Sequence, residues 1–192
     1  MKSLLVLVIS LLATAAAQKL FFAKCPSQAV VPNLDVKKYL GLWYENRKYK
    51  TIFQLGGRCT TATYTDAGNG IIGVRNDQKI TVIPVSVVGQ AKFADPTKTE
   101  AKLTVSFTSA TPFANDTSSV TASNYWVLDT DYDNYAIVWS CQAAIIANIQ
   151  FLWVLTRQRS PPEAIITKVL GVITDRGLDT SKLDVSKQDL CF

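Results

Sequence analysis

Four cysteines, two closely spaced aspartates and a complete lack of histidine limit the chemistry open to this 192-residue chain. Without imidazole there is no Ser-His or Cys-His catalytic pair, and no His-ligated zinc or haem. Cys25, Cys59, Cys141 and Cys191 include no C-x-x-C pair, which argues against a metal ribbon. An even number of cysteines in an exported chain points to two disulfides, with three pairings open. Pairing would consume every thiol and leave no nucleophile. Asp129 and Asp131 are spaced as carboxylates that could do acid–base work. Aspartates beside a turn commonly bond its amides, however, and both are read here as turn caps.

Export is indicated by the N-terminus. Met1-Lys2-Ser3 leads into an apolar run over 4–12, and Ala13, Ala15, Ala16 and Ala17 follow. A basic start, a short apolar core and an Ala-x-Ala site make a secretory signal peptide. The run is too short for a membrane anchor. Cleavage is expected after Ala17, leaving one domain over 18–192 that is secreted to the extracellular space. The 48 % apolar and 18 % charged composition excludes a disordered chain. A net charge of +5 with no basic run gives no footprint for nucleic acid.

The elements that would position any site read mainly as strands. After an irregular stretch over 18–40, apolar–polar alternation or β-branched runs mark 42–50, 58–65, 71–76, 80–90, 102–107, 125–129, 135–141 and 150–156. Asp66-Ala67-Gly68-Asn69-Gly70 is a hairpin signal. Many short antiparallel strands imply a sandwich or barrel. One helix is expected after Ser160-Pro161-Pro162-Glu163, with Ser160 as N-cap. Ile166, Val169, Leu170 and Ile173 give it an apolar stripe, and Gly177 its C-terminal cap. Asn115-Asp116-Thr117, in the long polar segment 108–124, is an N-glycosylation sequon.

Three segments carry a family signature: Gly41-Leu42-Trp43-Tyr44-Glu45, Thr130-Asp131-Tyr132 and Trp153-Val154-Leu155-Thr156-Arg157. In this order and spacing the chain resembles the lipocalin family. It is most similar to the subgroup holding apolipoprotein D and the insect bilin-binding lipocalins, through Lys24-Cys25-Pro26, Asp35 to Gly41, Gly57-Arg58-Cys59 and Pro161-Pro162-Glu163. The resemblance implies an all-β, eight-stranded up-and-down antiparallel barrel with one C-terminal helix packed outside. It implies bridges Cys25–Cys141 and Cys59–Cys191. Trp43 and Arg157 would meet as a structural plug at the closed base.

Strand parity from Arg157 puts Trp153 in the lumen, and outward Cys141 leaves Ala136, Val138 and Ser140 inside. Matching to the subgroup adds Tyr64, Asn76 and Tyr125 as ligand contacts. The implied function is noncovalent carriage of a small hydrophobic molecule, without catalysis, metal or required cofactor. A pigment such as biliverdin or a carotenoid is the cargo favoured by the subgroup. A fatty acid, sterol or retinoid-type lipid, or a structural shell with no physiological ligand, are the alternatives. Loops at the open end would include Ile52-Phe53, Asn76 to Lys79, 108–124 and the apolar run 143–149. Their apolar surface suits a lipid surface or self-association.

Overall fold

The computed structural model describes residues 20–21, 24–50, 56–107, 124–143, 145 and 147–191. The expected leader, Ile52-Phe53 and the Asn115 sequon lie outside the described residues. The chain runs β1 (Leu20–Phe21), α1 (Val36–Tyr39), β2 (Gly41–Tyr49), β3 (Gly57–Asp66), β4 (Ile72–Ile80) and β5 (Ile83–Phe93). It continues through β6 (Lys102–Phe107), β7 (Tyr125–Thr130), β8 (Tyr135–Ala143), β9 (Asn148–Thr156), α2 (Glu163–Asp175) and β10 (Leu183–Val185).

Strands β2 to β9 pair antiparallel with their sequence neighbours, and β9 returns to β2 with Tyr44 opposite Thr156. Eight strands thus close an up-and-down barrel, which leaves these strands no open edge. Period-two alternation makes two cores from one wall. Trp43, Tyr64, Val74, Leu103, Val127, Val138 and Leu155 pack inside the barrel. Ile137, Trp139, Leu152 and Val154, of the opposite parity, pack outward against Val169 and Ile173 of α2. Each large side chain buried in that second core contributes roughly 1.5–3 kcal/mol.

Helix α2 corrects one expectation. Its N-cap is Pro162, with no side-chain capping bond, rather than Ser160. A cap at Ser160 would require Pro161 to be helical. A residue preceding proline is driven to extended backbone, so the helix waits until Glu163. Its far end is as read: Gly177 has φ +70°, and the amides of Gly177 and Leu178 donate to Thr174 and Ile173. The 66–70 turn also holds, with Asn69 and Gly70 both at positive φ and Ile71 N–H bonded to Gly68 O.

The segment 76–79 is not a mouth loop. Strand β4 continues through it to Ile80, paired with β5 from Ile83 to Ala91, and the tight turn is at Thr81-Val82. Arg75 to Lys79 are five polar residues in succession, so no apolar alternation marks this part of the strand, and Asn76 is a polar residue on the lumen side. Likewise β9 starts at Asn148, not Gln150, because its side chain is buried and donates to Lys24 O at 3.1 Å. Within 18–40, β1 pairs with β9, and Asp35 caps the single turn of α1 by accepting from Lys38 N–H.

The C-terminal tail is part of the wall. Strand β3 is paired to β2 only from Gly41–Tyr44 to Thr61–Tyr64. Beyond that the two diverge, and β10 pairs with Arg47–Tyr49 of β2 instead. Cys59 N–H donates to Lys187 O, and the Gln188 amide bridges Glu45 O and Thr60 O at 2.9 and 2.8 Å. The disulfide Cys59–Cys191 fixes this tail, and Cys25–Cys141 ties the N-terminal arm to β8.

Candidate functional site

The base of the barrel is built from backbone carbonyls gathered by one cation. The Arg157 guanidinium lies 3.7 Å from the Trp43 ring centroid. It donates to Lys38 O, Leu40 O, Leu42 O and Tyr132 O at 2.7–2.9 Å. The Trp43 indole N–H donates to Tyr39 O at 2.9 Å, and the ring is 0 % exposed. Gly41 is needed here twice over. It has φ +96°, and a Cβ would stand 3.3 Å from Arg157 Nη1.

The two aspartates separate in role. Asp131 Oδ1 accepts from Asn134 N–H and Tyr135 N–H, as a turn cap should. Burial would raise its carboxyl, but the Asn134 side-chain amide, donating to Oδ2 at 3.0 Å, and these two backbone bonds outweigh burial and hold it below the ordinary value. Asp129 is not a turn cap: its Oδ2 accepts from the Tyr135 hydroxyl at 2.7 Å. The register irregularity between Val127 and Asp129 separates Asp129 from the turn geometry assumed for it. Burial and that bond together push the Tyr135 hydroxyl upward. The four cysteines are bonded in pairs, and no group of His, Cys, Asp and Glu among the described residues could hold a metal ion.

Above the base lies a cavity of about 260 Å³. Tyr64 of β3, Asn76 of β4, Tyr125 of β7 and Trp153 of β9 all stand on its lining, with Val138 and Ser140 of β8. Trp153 stacks on Phe151 with centroids 5.8 Å apart and rings 7° from parallel. Phe151 shares the parity of Trp153, so alternation alone could have found it. Phe107, Asn124 and Gln142 also line the space. They stand at the ends of strands or beside them, where a sequence pattern carries least information.

The floor is three tyrosine hydroxyls in a row. Tyr125 OH is 2.8 Å from Tyr39 OH and 2.7 Å from Tyr64 OH. Burial pushes the Tyr64 hydroxyl up to about 12 and the other two well above their ordinary value, so all three stay protonated at neutral pH. Tyr39 stands in the Asp35-to-Gly41 segment that carries the resemblance, but nothing in the sequence signalled this role.

Higher on the wall, Thr60 Oγ1, Asn76 Oδ1 and Gln78 Oε1 are buried with no hydrogen-bond partner among the described residues. Among the described lining residues only Glu45 carries a formal charge. Lys48 Nζ neutralises it at 2.7 Å. The site is therefore a neutral, aromatic and aliphatic hollow with a few polar groups, the usual composition of a small-molecule pocket.

The comparisons with known proteins agree with this geometry. A family model described as a lipocalin-like domain matches residues 34–188. Apolipoprotein D of Cavia porcellus is 35% identical over 190 residues, covering 98% of this chain and 95% of that protein. The Lazarillo protein of Schistocerca americana is 32% identical over 168 residues, covering 85% and 74%. Insecticyanin of the tobacco hornworm Manduca sexta superposes with a TM-score of 0.72 at 21% identity, covering 88% of this chain and 89% of that one. With its closed eight-stranded barrel, its Trp43–Arg157 base and this match over most of its length, the chain belongs to the lipocalin family.

Proposed function

We propose that this lipocalin is a secreted carrier that holds a flat, lipophilic pigment, biliverdin or a carotenoid, noncovalently in its barrel. The observation that carries the reading is the stacked Phe151–Trp153 pair beside the tyrosine floor in an otherwise neutral cavity. An extended π-system gains both apolar burial and offset stacking there. Tyr64, Asn76, Tyr125 and Trp153 are the proposed ligand contacts. Attachment is noncovalent because the cysteines are paired, and the protein is proposed to hold its cargo without chemistry. No cofactor is required. The Met1–Ala17 leader and two disulfides support secretion, and Asn115 is the proposed glycan site.

The absorption spectrum of the protein from its native source, before and after solvent extraction, tests the pigment. Visible bands that collapse on extraction are expected. A colourless protein whose extract contains a fatty acid, sterol or retinoid-type lipid would replace pigment with lipid. An empty extract would move the reading to a structural shell.

A second property rests on the open end. Ile145 is 101 % exposed, and Val82 and Ile83 on the β4–β5 turn are 80 % and 64 % exposed. This apolar rim is proposed to touch a lipid surface or a second copy. Flotation with phosphatidylcholine vesicles and concentration-dependent sedimentation distinguish the two.

A further inference from the structure

The tyrosine floor has one proton more than its own bonds use. Three hydroxyls in a row bring three protons and make two hydrogen bonds. The position of the third follows from packing. Tyr39 is 1 % exposed, with Trp43 and Tyr64 ring centroids each 5.3 Å from its own. A proton left on Tyr39 would be a buried donor with no acceptor, which is costly. Tyr39 therefore donates to Tyr125. Tyr125 then either donates to Tyr64, which turns its own proton to the lumen, or accepts from both neighbours and turns its proton there itself. Tyr64 and Tyr125 both line the cavity and Tyr39 does not. Either arrangement presents one donor to whatever fills the space above.

We infer that the Tyr39–Tyr125–Tyr64 chain selects, within the carrier function proposed above on which this rests, ligands that insert a neutral carbonyl oxygen first. A ketone, aldehyde or lactam oxygen accepts the spare proton without bringing a charge. A carboxylate does not suit the floor. The one charged residue on the described lining is acidic Glu45, and the Arg157 guanidinium beneath is occupied by four carbonyls. A carboxylate head would be desolvated without a counter-ion. A pure hydrocarbon would leave the donor unpaired.

The test uses the mature protein loaded with the fluorescent hydrocarbon diphenylhexatriene. Displacement is measured with β-ionone, with the hydrocarbon in which its carbonyl is replaced by CH₂, and with the carboxylic acid of the same ring and chain. On the wild type the ketone should compete best and the acid worst. In Tyr64→Phe/Tyr125→Phe, the ketone's inhibition constant should rise about tenfold while the hydrocarbon's does not rise. Each single variant should lose less, because the remaining hydroxyl can turn to the ligand. Equal losses for ketone and hydrocarbon would overturn the selection, as would an acid that binds tightest to the wild type. Should the double variant fail to take up the fluorophore, the wild-type ranking and the single variants decide alone. Failure of the wild type to take up diphenylhexatriene, together with no heat of binding for β-ionone in calorimetry, would overturn the carrier reading instead.

Discussion

The two ends of the barrel are made from the same strands and treat polar groups in opposite ways. At the base, one guanidinium serves four carbonyls, the Trp43 N–H has its acceptor, and Asp131 takes both turn amides. Toward the mouth, Thr60, Asn76 and Gln78 keep buried oxygens without a partner among the described residues, while Val82, Ile83 and Ile145 face water. A buried polar atom without a partner costs about 1–3 kcal/mol. A fold can hold several only where the rest of the structure supplies the stability. The base supplies it, and the upper barrel keeps interactions open for a partner. The difference teaches that stability and recognition have been separated along the barrel axis.

Substitutions at each end can break or sharpen this contrast. The largest effect is expected from Trp43→Ala, which empties a fully buried indole site and should lower unfolding free energy by about 3–5 kcal/mol in urea titrations. A loss under about 1 kcal/mol would mean that the base does not carry the fold. Arg157→Ala should follow, at roughly 2–3 kcal/mol, because it orphans several carbonyls together. Arg157→Lys should recover only part, since an ammonium lacks the planar fork. In both, affinity for diphenylhexatriene should change less than twofold; a large change would couple the ends. Asp131 gives a smaller, pH-dependent effect. Its folded carboxyl titrates below its unfolded value. Its stabilisation is therefore complete above the ordinary carboxylate value of about 4 and is lost as pH falls through the lower folded value. Asp131→Asn should flatten the acid limb of a stability–pH curve below about pH 4, by less than about 1 kcal/mol. Least affected should be Val82→Ser/Ile145→Ser, within about 0.5 kcal/mol of wild type, yet with flotation on vesicles reduced.

The base was also the more legible end. Trp43, Asp131 and Arg157 sit in short motifs with fixed local geometry, and alternation sorted β9 from Arg157, and β8 from Cys141, into lumen and exterior. Tyr64, Asn76, Tyr125 and Trp153 fall on the cavity lining; parity pointed to Trp153, and the family resemblance to the other three. Local pattern fails where an element is short or where context decides. The four-residue α1, the two-residue β1 and the three-residue β10 have too few positions to show a period. Ser160 looked like a cap until the Pro161-Pro162 pair is weighed. Asp129 differs from Asp131 only through a register irregularity that no local pattern reports. Hydroxyl chains such as Tyr39–Tyr125–Tyr64 join residues 61 and 86 positions apart. One sequence does not encode such distances in its spacing.

The seam filled by Ser186, Lys187 and Gln188 has a consequence for biosynthesis. Residues 45–49 and 58–60 are made early, yet the bonds that finish the wall between them come from Ser186, Lys187 and Gln188, the last of these 143 and 128 positions after its partners Glu45 and Thr60. Many domains begin to fold from the N-terminus during synthesis. Here the gap between the outer parts of β2 and β3 stays open until residues 183–188 have been made. The wall on this side of the cavity is therefore completed only after synthesis has passed Gln188.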